Sequence, residues 1–194
     1  MQDILQLTEE DRILHKTSLS FDGAVWEWIL PLITGAQVVV AAPGGHKDPS
    51  YLAQMIEGYS VSSLELVPSM LAAVLEQSEW KDASSLRQIV AAGEALSRSL
   101  QQQTFDVLPH TTLWNLYGPS EAAIDVSYYH CSSDDTGSSP PIGSPIWNTQ
   151  LYILDPTLTP VPDGIAGELY IAGAGLARGY LGPVSYTHLR AHET

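Results

Sequence analysis

The 194-residue chain carries 22 acidic against 8 basic side chains, a formal net charge of −14. That balance argues against a nucleic-acid or anionic-membrane surface, because phosphate binding needs clustered Lys and Arg. With 44% hydrophobic and 15% charged residues, it has the composition of a globular domain large enough to bury a sizeable core.

The single cysteine, Cys131, allows no internal disulfide and fits a cytoplasmic protein. The opening "MQDILQLTEEDR" lacks the basic-then-apolar pattern of a signal peptide. The apolar stretch around Ala24–Ile33 is broken by Glu27 and Pro31 and is too short to span a membrane.

In chain order, Ala24–Thr34 reads as a helix and Ala36–Ala42 as a β-branched strand closed by Pro43-Gly44-Gly45. Asp48 is placed to cap a helix with Pro49 at its first position, and Leu52, Met55, Ile56 and Tyr59 share one face of it. Val61–Val67 reads as a strand. Pro68 then opens a helix with Leu71, Val74 and Leu75 on one face. Strand Leu86–Gly93, helix Ser97–Leu108 and strand Thr111–Gly118 follow. This alternation predicts an α/β fold, a parallel sheet covered by helices on both faces. Beyond Ser133 a polar loop, "SSDDTGSSPP", leads to short strands within "NTQLYILD" and "GELYIAG" without helix signals between them, which predicts a small antiparallel β module. The expected division is residues 1–133 for the α/β core and 134–183 for the β module. The tail "VSYTHLRAHET" (Val184–Thr194) matches the translation of a sequencing-adapter read-through and is set aside.

Open parallel sheets bind ligands beyond the carboxyl ends of their strands. Here those ends are Leu66–Ser69, Ala92–Ala95 and Leu116–Glu121. The last carries "NLYGPSE" (Asn115–Glu121). Gly118 and Pro119 shape a turn, Tyr117 offers a ring face, Ser120 can donate to a phosphate oxygen, and Glu121 can hold Mg²⁺. A nucleotide with its metal suits this set; a capping turn is the simpler reading. By local sequence Asp22 reads as a helix N-cap for Ala24–Thr34.

Four segments in order, "FDGAVWE" (Phe21–Glu27), "AAGEAL" (Ala91–Leu96), "NLYGPSE" and "GELYIAGAGLARGYL" (Gly167–Leu181), closely resemble the core motifs of amino-acid adenylation domains of nonribosomal peptide synthetases, within the adenylate-forming superfamily. The resemblance runs from Met1 to about Gly182. It lacks the family's upstream phosphate loop and its downstream mobile domain with a catalytic lysine, so the expectation is an internal segment, inactive alone. The resemblance implies activation of an amino acid by ATP and Mg²⁺, then transfer to a phosphopantetheine thiol on a partner carrier domain, beside condensation domains. It places Gly93, Glu94, Asn115, Tyr117, Gly118 and Ser120 at the nucleotide, Glu121 at Mg²⁺, and Asp22 at the substrate's α-ammonium. Counting along the motifs gives Gly23, Trp26, Glu65, Val90, Ala92, Leu116, Ile124 and Asp125 as the side-chain pocket. Two carboxylates there, Glu65 and Asp125, suit a basic side chain; a polar neutral one is the alternative, and a solvent-facing Glu65 would select nothing. An acyl- or aryl-CoA ligase of the same superfamily, or a non-catalytic nucleotide-binding segment, are the competing functions. The scattered His15, His46, His110 and His130 suggest no protein-built metal cluster.

Overall fold

The computed structural model describes residues 1–181; the expected foreign tail lies outside them. The main sheet has seven strands in the order β2-β1-β3-β4-β5-β6-β7. Five are parallel: β1 (Arg12–His15), β2 (Gln37–Val40), β3 (Ser63–Leu66), β4 (Gln88–Ala91) and β5 (Thr112–Tyr117). β6 (Ser127–His130) runs antiparallel to β5, and β7 (Ser144–Pro145) antiparallel to β6. A second sheet pairs β8 (Thr149–Leu154) with β9 (Glu168–Gly173), antiparallel throughout. The α/β sheet with a small antiparallel module is therefore as the sequence implies. The junction is not: β7 extends the large sheet to Pro145, so the two sheets part between Pro145 and Thr149 rather than at Ser133.

Strand side chains alternate between two cores, which is why helices are needed on both faces. Leu14, Leu64, Leu66, Ile89, Ala91 and Leu113 face α3 (Pro49–Tyr59), α4 (Pro68–Leu75) and α5 (Arg98–Val107), meeting Leu52, Ile56, Leu71, Val74 and Leu100. Ile13, Val90, Ala92 and Leu116 face the other way, onto Trp26 and Leu30 of α2 (Ala24–Thr34) and onto Leu5 of the short α1 (Gln2–Leu5) and Leu7. Helix starts follow the expected chemistry. Asp48 Oδ1 accepts from the N–H groups of Ser50 and Tyr51 at 3.0 and 3.2 Å, and Ser97 Oγ from Leu100 N–H at 3.2 Å.

The strand β1 has no counterpart in the sequence reading. Four residues, RILH, bury only Ile13 and Leu14, and the segment is held by backbone pairing with β2 and β3 rather than by a long apolar run. Among the described residues no helix is long and apolar enough to cross a membrane.

Candidate functional site

Two cavities open at the carboxyl ends of the parallel strands, and Gly93 and Gly118 line both. The first, about 340 Å³, lies beyond four adjacent strands: Lys16–Ser18 after β1, Leu66 and Val67 at the end of β3, Ala92 and Gly93 after β4, and Gly118 after β5. Its acidic lining is Asp22, Glu65 and Asp125, and Ile124 and Met70 supply apolar wall. The second, about 540 Å³, is lined by Gly93–Leu96, Asn115–Pro119 and Ser139–Ile142.

Asp22 does not cap α2. Gly23 holds the N-cap position with no side-chain cap bond, and the N–H groups of Ala24 and Val25 go to the Phe21 and Asp22 carbonyls. Asp22 Oδ1 accepts from Gly23 N–H at 2.9 Å, while Oδ2 is buried with no hydrogen-bond partner. A buried unpaired carboxylate oxygen is costly, and that cost disappears when a cation arrives.

Glu65 lies between Leu64 and Leu66 on β3, so alternation turns it toward α2, not toward solvent. Its Oε2 is buried and unpaired. A Cβ on Gly23 would sit 3.1 Å from Glu65 Oε1. The glycine thus leaves room for the Glu65 carboxylate, and the space that a small residue would otherwise give a substrate is partly filled. Burial pushes the Glu65 carboxyl up to about 7; Lys16 opposes the shift, Glu27 adds to it, Trp26 opposes it by hydrogen bonding, and Asp22 adds again. Asp125, 6% exposed, rises to about 7 as well, through burial first and then the negative charges of Glu65 and Asp22.

Asp125 reaches the cavity through strained backbone. A Cβ on Gly118 would meet Ile124 O at 2.1 Å and Asp125 Cα at 2.6 Å, so only glycine lets the two segments approach. Ala123 and Ile124 both hold positive φ, 63° and 79°. For a β-branched residue this is a sparsely populated state, of the kind that clusters at functional sites.

Six of the nine residues expected in the side-chain pocket line this cavity: Asp22, Gly23, Glu65, Ala92, Ile124 and Asp125. Trp26 and Val90 lie behind it in the core, and Leu116 lines the neighbouring cavity. The sequence reading missed Lys16, Thr17 and His46, which also line the first cavity. The available signal was Glu27. Fully buried on α2, it accepts from Thr17 Oγ1 at 2.6 Å, His15 Nδ1 at 2.8 Å, and the N–H groups of Thr17 and Lys16 at 2.9 and 3.0 Å; Lys16 Nζ lies at 3.4 Å. One carboxylate fixes three successive residues at the end of β1.

In the second cavity, Gly93 takes the left-handed conformation at φ 82°. Glu94 accepts from Ser69 N–H at 2.9 Å and Oγ at 3.0 Å, tying the β4 loop to the start of α4. Asn115 is buried and donates to Pro141 O at 2.8 Å, drawing the 139–142 loop over the cavity. Tyr117 is half-buried in the wall. Ser120 and Glu121 follow in a 3-10 turn, Ser120 exposed and Glu121 partly so. The Tyr180 hydroxyl donates to the Glu121 carboxylate, and Ala177 N–H to its carbonyl at 2.6 Å. The segment after β9 therefore packs on the turn that carries Glu121.

Among the described residues no group of three or more His, Cys, Asp or Glu could hold a metal ion. A lone partly exposed carboxylate does fit Mg²⁺ of the type that keeps several waters and takes its other ligands from phosphates.

The chain is 43% identical over 180 residues to tyrocidine synthase 3 of Brevibacillus parabrevis, covering 93% of this chain and 3% of that protein. It is 44% identical over 198 residues to enterobactin synthase component F of Escherichia coli, covering 98% and 15%. Among solved structures it superposes on the AMPPNP-bound form of the nonribosomal peptide synthetase FmoA3 with a TM-score of 0.88 at 29% identity, covering 96% of this chain and 21% of that one. The chain thus spans between 3% and 15% of the length of these curated relatives. The AMP-binding enzyme family matches residues 1–181, every described residue, and the chain belongs to that family.

Proposed function

We propose that this chain is the part of an amino-acid adenylation domain, in a cytoplasmic nonribosomal peptide synthetase, that holds amino acid and ATP together. The observation that carries the reading is two cavities that share Gly93 and Gly118 in their lining, one of them also lined by Asp22, whose Oδ2 is buried and unpaired. In the reaction, a carboxylate oxygen of the amino acid attacks the α-phosphorus of ATP, the bond to the bridging oxygen of pyrophosphate breaks, and aminoacyl-AMP remains. A phosphopantetheine thiol of a carrier domain then takes the acyl group, releasing AMP, for use by a condensation domain.

The residues supply placement, which dominates catalysis of this kind. Asp22 binds the α-ammonium and thereby aims the substrate carboxylate at the second cavity. Gly93, Glu94, Asn115, Tyr117 and Gly118 form the nucleotide wall, with Tyr117 against the base. Ser120 donates to a phosphate oxygen. Glu121 holds Mg²⁺, which when bound neutralises phosphate charge. Residues 1–145 belong to the α/β core, and β8 and β9 to a β module whose following segment braces Glu121.

Amino-acid-dependent ATP–pyrophosphate exchange by the full-length protein tests this. Asp22→Ala is expected to lower kcat/KM for the amino acid by on the order of a hundredfold, as for a lost buried ion pair. Exchange driven equally by carboxylic acids without an amine would replace the reading by an acyl- or aryl-CoA ligase. Glu121→Gln is expected to raise the Mg²⁺ concentration needed for half-maximal exchange with the melting temperature unchanged. An unaltered Mg²⁺ dependence would remove Glu121 from the metal.

A further inference from the structure

We propose that the amino acid taken by this site carries a second cation on its side chain, an amine or guanidinium that sits between Glu65 and Asp125. The inference rests on the adenylation reading for the place of Asp22 and on the cavity itself for the rest.

Three carboxylates line about 340 Å³ of partly enclosed space. Glu65 Oε2 and Asp22 Oδ2 are both buried without hydrogen-bond partners. The Asp125 side chain is 6% exposed and lines the cavity, and no described residue donates to it at hydrogen-bond distance. The charged groups that face them are few. Lys16 lines the cavity and its charge acts on Glu65, but its hydrogen bonds go to Glu27 and Thr17, with Nζ at 3.4 and 3.0 Å from their oxygens. His15 is taken by Glu27. His46 lines the same cavity, and the α-amino group of Met1 acts on Asp125 from outside it. With Glu27 answered by Lys16 and His15, Asp22, Glu65 and Asp125 remain. A substrate α-ammonium answers only the first.

Burial first, and then neighbouring negative charge, from Glu27 and Asp22 on Glu65 and from Glu65 and Asp22 on Asp125, pushes both carboxyls toward their protonated forms. A cation placed between them reverses that preference and gives Glu65 Oε2 and the Asp125 carboxylate a partner at once. A neutral apolar side chain would bury the pair without a partner, which is the costly outcome. The remaining wall, Val67, Met70 and Ile124, suits the methylene stem of such a side chain.

The full-length protein is to be screened by pyrophosphate exchange against the proteinogenic amino acids and ornithine, with calorimetric binding of the same amino acids in the absence of ATP as a second readout. Lysine, ornithine or arginine is expected to give the highest kcat/KM and the tightest binding. Glu65→Gln is expected to reduce kcat/KM for that substrate by about thirtyfold while changing that for neutral amino acids much less. Asp125→Asn provides the same comparison should Glu65→Gln fold poorly. Preference for a neutral or acidic amino acid overturns the cationic assignment and leaves the adenylation reading standing. No exchange and no binding with any amino acid overturns both.

Discussion

Glu65 shows how much a single side chain depends on its neighbours. Its carboxylate occupies the space over Gly23, 3.1 Å from where a Cβ would be, so the missing side chain of Gly23 leaves it its seat. Gly23→Val should push the carboxylate off this seat. The expected result is lost preference for a cationic substrate with exchange activity retained toward smaller neutral ones, read as a change in relative kcat/KM. Gly118 positions Asp125 in the same indirect way. Gly118→Ala would drive a Cβ into Ile124 O, and a loss of about 2 kcal/mol or more in urea denaturation is expected. Residues of this kind were partly legible. "FDGAVWE" and "NLYGPSE" marked the positions, but the roles of the glycines were not readable, because a close approach between residues 118 and 124–125 leaves no mark on local pattern. Asp22 was ambiguous for a related reason. A cap and a ligand look alike in sequence, and what separates them here is the Asp22 side chain, which caps no N–H of α2 and leaves Oδ2 buried and unpaired.

At the scale of elements, α2 is held to the sheet by Glu27 as well as by apolar packing. Glu27 is fully buried and accepts from His15, Lys16 and Thr17. Removing it would strand those donors and leave Lys16 without its nearest carboxylate. Glu27→Ala is therefore expected to cost about 3–5 kcal/mol, measured by chemical denaturation. Glu27→Gln should recover part of that, because the amide oxygen still accepts while its NH₂ cannot. Elements with strong local signals, α3, α4, α5 and the parallel strands β3 to β5, were readable from apolar spacing and caps. β1 and β6 were not. Each lacks a long apolar run and is fixed by pairing with distant chain, Arg12–His15 with Gln37–Val40 and Ser127–His130 with Trp114–Tyr117 reversed. Short strands draw their stability from partners that local sequence does not specify. The same applies to Ser144–Pro145, whose pairing moved the seam between the sheets.

For the whole molecule, the buried acidic cluster makes stability depend on pH in a direction opposite to that of most carboxylates. Glu65 and Asp125 have folded pKa values of about 7, against 4.5 and 3.8 for the free groups. Between those limits the folded state binds more protons than the unfolded one, so stability falls as pH rises from about 4 to 7. Below that window Asp11 acts the other way. Burial works against its charge, but bonds from Ser62, Thr8 and Arg87 outweigh it and lower its pKa, so its contribution is lost as pH falls through the folded value. The protein without ligand is expected to melt highest near pH 4–5 and progressively lower toward pH 8. Lys16, Asp22 and His46 line the same cavity, and Glu27 and His15 lie behind Lys16. The test must therefore remove the two carboxylates rather than infer them from the profile alone. In the Glu65→Gln, Asp125→Asn double variant the decline between pH 5 and 8 should flatten, because no proton is then released from the cluster. A melting profile that falls just as steeply in the double variant would place the alkaline loss elsewhere, in the repulsion expected of a chain with net charge −14.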